Sequence, residues 1–363
     1  MQSNKKDISL EKKVLFSFVV IILFFVSLES AARIIDYIKN RHYVADFPDV
    51  IYDTHPYIPI ILKPNTAFRP RNININSLGY RGKDFKIIKT PGTFRIVCIG
   101  GSTVFGIGSS SDKTTFPQLL EDVLNKKISG KKFEVINAGV PGYTTAESLI
   151  DIELRLLDLS PDLIFIYHGY NDFKPNRMPN FKSDYSHWRY REPIYIGRPF
   201  LDNFRFYTKL RNLILKYLPK NQDSSFPELK RFDTVSIEGV KAFERNLKSM
   251  IDIAKSRNIK VILSTFVIPL NDTNLKKNPE MFKALLYFTP TLTYQGVLDA
   301  RTKYNNAAKE LAEEENIPLV DFDKIMPQSL EYFDDYVHFN DIGAMFIGEN
   351  IANSIIENYF KEK

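Results

Sequence analysis

Asp335 and His338 stand three positions apart in DDYVHFN, Asp334 to Asn340, just before a helical pattern that closes the chain. A carboxylate beside an imidazole orients the ring and stabilises its protonated form, which suits a general base. Such a base needs a group to activate. Ser102 supplies one. It lies in GGSTVFG, Gly100 to Gly106, directly after the apolar run FRIVCIG, and Gly100 and Gly101 permit a tight turn there. Two other apolar runs end in polar residues: NAGVPGY contains Gly139 and HGYND contains Asn171. A hydroxyl nucleophile, a base, an orienting carboxylate and hydrogen-bond donors for a developing oxyanion are the parts that acyl transfer requires.

These residues act together only if the fold gathers them. Five short runs rich in Val, Ile and Phe read as strands: FRIVCIG, FEVINAG, DLIFIYHG, KVILSTFVI and PLVDF. They lack polar alternation, as strands of a parallel sheet do when both faces are covered. Helical patterns separate them, from FPQLLEDVLNKK to YQGVLDARTKYNNAAKELAEEEN, and DIGAMFIGENIANSIIENYF follows His338. Thr144 or Thr145 is the expected N-cap of the second helix. The alternation predicts a three-layer α/β/α sandwich around a five-stranded parallel sheet. Ser102, Gly139, Asn171, Asp335 and His338 then share the carboxyl edge, where such sheets build their sites. An aromatic and basic stretch, residues 173–234, interrupts the pattern after the third strand. It contains Trp188, Tyr190, Tyr195 and Phe200, and FRFYTKLRNLILKYL within it reads as an amphipathic helix. An insertion at a strand's carboxyl end is expected to cover or line the site.

Each residue alone has a plainer reading. A serine among glycines forms turns, and Asn340 or Asp341 can cap the last helix. His168 receives no role, and His42, His55 and His187 read as surface or loop residues. GGSTVFGIG lacks the Lys-Ser/Thr ending of a phosphate loop, and Val104 breaks the Gly-x-Ser-x-Gly elbow.

Taken together, GGST, NAG, GYND and DDYVH resemble in order the four sequence blocks of the SGNH hydrolases, the GDSL-type esterases and lipases. The resemblance spans Phe94 to the C-terminus apart from the insertion. It implies the flavodoxin-like SGNH hydrolase fold and a serine-dependent acyl-ester hydrolase that needs no metal or cofactor. It also implies roles: Ser102 as nucleophile, His338 as base, Asp335 as its orienting partner. The backbone N–H groups of Ser102 and Gly139 and the Asn171 amide would form an oxyanion hole. Gly101 departs from the family pattern, which has Asp before the serine. The same acyl-enzyme would also serve an O-acyltransferase, and a non-catalytic glycan-binding module on this fold is the remaining alternative.

Composition narrows the setting. The chain has 363 residues, 44% of them hydrophobic and 25% charged, with net charge +6. Its lysines and arginines are dispersed, and no nucleic-acid-binding motif is present, which argues against a nucleic-acid partner. Cys98 is the single cysteine and lies in an apolar run, so no internal disulfide forms and a buried thiol is expected. Val14 to Leu28 carries no charge and follows Lys5, Lys6, Lys12 and Lys13. Extended by Ala31, Ala32, Ile34 and Ile35, it approaches the ~20 residues of a bilayer span. An uncleaved membrane anchor with the catalytic domain extracytoplasmic is expected. The rival is a signal peptide cut near Ser30-Ala31-Ala32. The expected organisation is an anchor or signal segment at 1–35, an irregular stalk and entry segment at 36–92, whose stretch NSLGYRGKDF is expected to pack against the main domain, and the hydrolase-like domain at 93–363 with the insertion at about 173–234. Its expected substrate is an acylated envelope glycan or lipid.

Overall fold

The strand that leads to Ser102, β1 (Thr93–Gly100), is buried along its whole length. That requires cover on both faces, and the computed structural model supplies it. The structure describes residues 9–39, 51–53, 55–68, 72–189, 204, 206, 207, 209, 210, 213 and 229–361. With β1, the strands β2 (Lys132–Gly139), β3 (Leu163–Tyr167), β4 (Lys260–Ser264) and β5 (Leu319–Val320) form one sheet in the order β2-β1-β3-β4-β5. Every neighbouring pair in it is parallel. This is the doubly wound arrangement predicted from the strand–helix alternation.

Eight helices matter to the argument. They are α1 (Leu10–Lys39), α2 (Ser102–Phe105), α3 (Phe116–Lys127), α4 (Thr145–Asp151), α5 (Tyr170–Phe173), α6 (Ile237–Ser256), α7 (Tyr294–Glu314) and α8 (Asp341–Ile355). Helix α3 packs against α8, while α6 packs against α4 and α7. Right-handed crossovers account for this division: the chain steps one way from β1 to β2 and the other way from β2 through β5. Helix α6 buries Val240, Phe243, Leu247, Met250, Ile251 and Ala254, one stripe at helical spacing. Thr144 caps α4, accepting from Ala146 N–H while Glu147 reaches back to the Thr144 N–H. Cys98 is fully buried in β1, and burial pushes its thiol well above the ordinary value.

The chain divides into two compact units, one of residues 1–47 with 197–228 and one of residues 48–196 with 229–363. In the first, Leu10–Ile35 is long and apolar enough to cross a membrane by length and composition, a test that a signal sequence also passes. The second holds the sheet. Among the described residues between 51 and 92, within the expected stalk and entry segment, Ile51, Ile58, Ile60, Leu62, Phe68, Ile73, Ile75 and Tyr80 are all buried. Two short antiparallel ladders, Tyr52–Asp53 with Ile61–Leu62 and Thr66–Phe68 with Ile73–Ile75, satisfy part of its backbone.

Candidate active site

The chain turns sharply at the carboxyl end of β1, and Ser102 opens α2. The Gly106 N–H closes that turn on the Ser102 carbonyl at 2.9 Å. In the first turn of a helix no intrahelical carbonyl faces the N–H groups, so the Ser102 N–H points outward. From the far end of the chain, His338 brings Nε2 to 2.7 Å from Ser102 Oγ. Its Nδ1 lies 2.7 Å from Asp335 Oδ2. The second carboxylate oxygen, Oδ1, accepts from the Val337 and His338 backbone N–H groups, both at 2.8 Å. These bonds make a tight loop that aims carboxylate and imidazole at each other. Burial alone pushes the Asp335 carboxyl up. The neighbouring His338 charge, its ring hydrogen bond and the two backbone donors outweigh burial and hold it below the ordinary carboxylate value.

The loop is anchored by its alternate side chains. Val337 and Phe339 are buried, and Phe339 packs at 6.0 Å from the Tyr167 ring and 5.4 Å from Phe333. The Asp334 N–H donates to the His338 carbonyl at 2.9 Å, closing the loop. Asn340, not Asp341, caps α8 by accepting from Gly343 N–H. Asp341 is used elsewhere, accepting from the Ser110 N–H at 2.8 Å and its hydroxyl at 2.6 Å. That contact ties the loop after the serine to the loop after the histidine.

Asn171 opens α5 past the end of β3, and its amide donates to the Tyr143 carbonyl at 2.9 Å. An amide nitrogen carries two protons, so the second is available to a ligand. The Tyr143 carbonyl is set by a Pro141-Gly142 turn closed from Tyr143 N–H to the Val140 carbonyl, with Gly142 at φ +87. Gly101 permits this closeness: a Cβ there would stand 2.6 Å from Asn171 Nδ2. The missing Asp before the serine thus makes room for the Asn171 amide.

Gly139 does not match its expected role. Its N–H donates to Asn137 Oδ1 at 3.1 Å. Its glycine identity has a different cause, since a Cβ there would stand 2.2 Å from the Phe105 backbone nitrogen. Gly139 lets α2 lie against the end of β2. Its place in NAG at the end of β2 suggested equivalence with Ser102, but the Asn137 side chain, two residues earlier, takes its N–H.

Two expectations about histidine and tryptophan also change. His187 is buried, not on the surface: Nδ1 accepts from Lys182 N–H at 3.1 Å and Nε2 lies 2.9 Å from the Pro175 carbonyl. Trp188 is only 7% exposed, so it is packing rather than a ligand platform. Tyr190, Tyr195, Phe200 and most of FRFYTKLRNLILKYL lie outside the described residues. The aromatic residues beside the Asp335–His338 loop come from elsewhere. Tyr170 lies 6.0 Å from Tyr336, Tyr336 lies 6.2 Å from Phe288, and the Lys174 ammonium sits 4.8 Å above the Tyr170 ring. Phe288 ends a helical excursion after β4, Pro279–Phe288, whose Asn278-Pro279 start was its one signal in the sequence.

Comparison with known proteins now bears on this geometry. Residues 98–345 match the GDSL-like Lipase/Acylhydrolase family, and the chain belongs to it. By class it is a carboxylic ester hydrolase. Among solved structures, the lipase/acylhydrolase from Enterococcus faecalis is similar at 20% identity and TM-score 0.44, over 74% of this chain and 99% of that one. The acetyl xylan esterase AlAXEase is similar at 17% identity and TM-score 0.44, over 72% of this chain and 100% of that one. The psychrotrophic esterase EstA from Pseudoalteromonas sp. is similar at 16% identity and TM-score 0.42, over 72% and 97%. Comparison with curated proteins gives no match.

Proposed function

We propose that this chain is a membrane-anchored serine esterase that removes an O-acyl group from a cell-envelope glycan or lipid on the extracytoplasmic side. The observation that supports it most is the continuous hydrogen-bonded chain from Ser102 through His338 to Asp335, with 2.7 Å at both ring nitrogens. In this reading His338 Nε2 takes the Ser102 proton as Oγ attacks the ester carbonyl. Asp335 holds the Nδ1 proton and steadies the imidazolium. The Ser102 N–H and the Asn171 amide receive the oxyanion, while Gly139 contributes by shaping the turn. Collapse of the tetrahedral intermediate breaks the C–O bond, and His338 returns the proton to the departing alcohol. A water then attacks the acyl-enzyme, losing its proton to His338, and the carboxylic acid leaves with Ser102 restored.

The exposed Phe288 ring, beside Tyr336, supports a substrate with a broad face, since such rings stack on sugars. The lysines before Val14 favour a cytoplasmic N-terminus and an outward catalytic unit. A fluorophosphonate probe tests the central claim. Wild type is expected to label quickly at one serine, and Ser102→Ala not at all. Equal labelling of both proteins would overturn the assignment.

A further inference from the structure

Arg81 is fully buried and belongs to the family site only through space. It lies upstream of residue 98, where the family match begins. The segment NSLGYRG, Asn76 to Gly82, delivers it. Asn76 Oδ1 accepts from the Leu78 and Tyr80 N–H groups, both at 3.0 Å. Gly79 turns the chain at φ +83. Arg81 then pairs across the sheet edge with Asn137 as an antiparallel bridge. Its Nη1 donates to the Phe105 carbonyl at 3.0 Å and the Gly106 carbonyl at 2.6 Å. These carbonyls end α2, the single turn that Ser102 begins. Asn137 Nδ2 supports the Phe105 carbonyl from the other side at 3.2 Å. The guanidinium also stacks 4.9 Å from the centre of the Phe105 ring. Asp112 balances its charge, taking Nε–H on Oδ1 at 2.7 Å while Asn74 holds Oδ2.

We infer that Arg81 is a positioning residue for Ser102, so that the working catalytic unit begins upstream of the family match, at or before residue 72. This rests on the reading of Ser102 as the nucleophile. The warrant is mechanical. Helix α2 is four residues long and cannot hold its own geometry. Its end carbonyls are fastened by a planar cation that is itself fixed by an ion pair and a ring. A buried guanidinium with several partners is a rigid strut, because removing any one partner leaves the others misaligned. A displacement of about 1 Å at a nucleophile costs on the order of 10²-fold in rate.

The test uses the full chain. Arg81→Ala, Arg81→Gln and Arg81→Lys are compared with wild type for the fluorophosphonate rate constant and for kcat and KM on p-nitrophenyl acetate. Each variant is first shown by circular dichroism to be as folded as wild type, so that the rate constant reports the site and not the fraction folded. The expected result is a fall of about 10²-fold in the labelling rate and kcat for Arg81→Ala, with KM within two-fold. Arg81→Lys should recover little of the loss, because an ammonium keeps the charge but not the planar fork that holds the carbonyls and Asp112 together, and added guanidinium ion should partly restore Arg81→Ala. If Arg81→Ala does not fold, Arg81→Gln carries the same criterion, since it fills the space without the charge. A folded variant lacking the guanidinium that labels at the wild-type rate overturns the inference. Ser102→Ala, run alongside, separates the two claims. Its loss of labelling with an unaffected Arg81 variant sinks only the strut, whereas its retention of labelling sinks the site assignment.

Discussion

Asp335 and Asp172 both border the carboxyl edge of the sheet, yet the fold treats them in opposite ways. Asp335 keeps 33% of its side chain exposed, and its partner His338 keeps 12%. Its charge is favoured by an imidazole and two backbone donors, and it sits below the ordinary carboxylate value. Asp172, one residue after Asn171, is completely buried. Its Oδ1 accepts from the Thr145 N–H at 2.9 Å and the Thr145 hydroxyl at 2.5 Å, while Oδ2 has no hydrogen-bond partner. Burial pushes it up to about 7, against those two bonds. His168, with Nδ1 3.7 Å from Asp172 Oδ2, is pushed down to about 4, again by burial. Between those values both groups are neutral, so the contact is not an ion pair. The contrast is about water. Near the surface the Asp335 carboxylate keeps its charge beside the imidazole, whereas the sealed pair shares no charge and serves as structure.

The most damaging way to break the proposed side of this comparison is to remove its members. Ser102→Ala and His338→Ala should each lower kcat by about 10⁴–10⁶-fold, and the double variant should be hardly worse, since each removes the same proton transfer. Losses that multiply would mean that the two act independently. Asp335→Ala should cost less, about 10²–10⁴-fold, because a misaligned imidazole remains a base. Asp334→Ala is the matched control and should stay within about three-fold, because its carboxylate is not part of the Ser102–His338–Asp335 hydrogen-bonded chain. A dead Asp334→Ala beside an active Asp335→Ala would reverse the assignment of the carboxylate.

Trp188 marks the boundary between recognition and packing. Reading aromatic residues in the insertion as a ligand platform predicts a loss confined to large substrates. Burial to 7% exposure predicts something else. Trp188→Ala should lower stability by about 3–5 kcal/mol, the usual cost of emptying a large aromatic site. It should affect p-nitrophenyl acetate and an acylated oligosaccharide alike, read as active-site-titrated kcat/KM together with Tm. A selective loss on the oligosaccharide would restore the recognition role.

These cases show which features a sequence displays. The five parallel strands and the placement of Ser102, Asn171, Asp335 and His338 past strand ends were legible because apolar runs and strand ends are local patterns with fixed periodicity. Gly139 was misjudged because its N–H is claimed by Asn137, two residues earlier in the chain but reaching it through a side chain whose direction the spacing does not reveal. Arg81 was legible only as part of a stretch that packs on the domain. Its partners, Phe105, Gly106 and Asp112, lie some 24 to 31 positions away in the chain. His187 and Trp188 were read by composition, and composition cannot tell a buried aromatic insertion from an exposed one.

The smallest expected effect tests the sealed pair. A depressed carboxylate such as Asp335 stabilises the fold above the ordinary carboxylate pKa, and that contribution is lost as pH falls through its lowered folded value. Asp172 has the reverse sign. Its folded pKa is raised to about 7, so between the ordinary carboxylate pKa and about 7 the native state holds a proton that the unfolded chain has already released, and stability declines as pH rises across that window and levels off above it. Asp172→Asn removes the titration. Its amide oxygen can still accept from Thr145 N–H and the Thr145 hydroxyl, and its nitrogen replaces the oxygen that lacks a partner. The gap between variant and wild type should therefore be small near pH 4 and widen up to about pH 7. Toward pH 8 the wild type should fall behind by several degrees, on the order of what 1–2 kcal/mol produces in a chain of this size. Activity at pH 6 should remain within about three-fold, since Asn171 keeps its Tyr143 bond. If Asp172 were instead ionised against a protonated His168, the variant would be the less stable protein from pH 5 to 8, and no gap would open through pH 7.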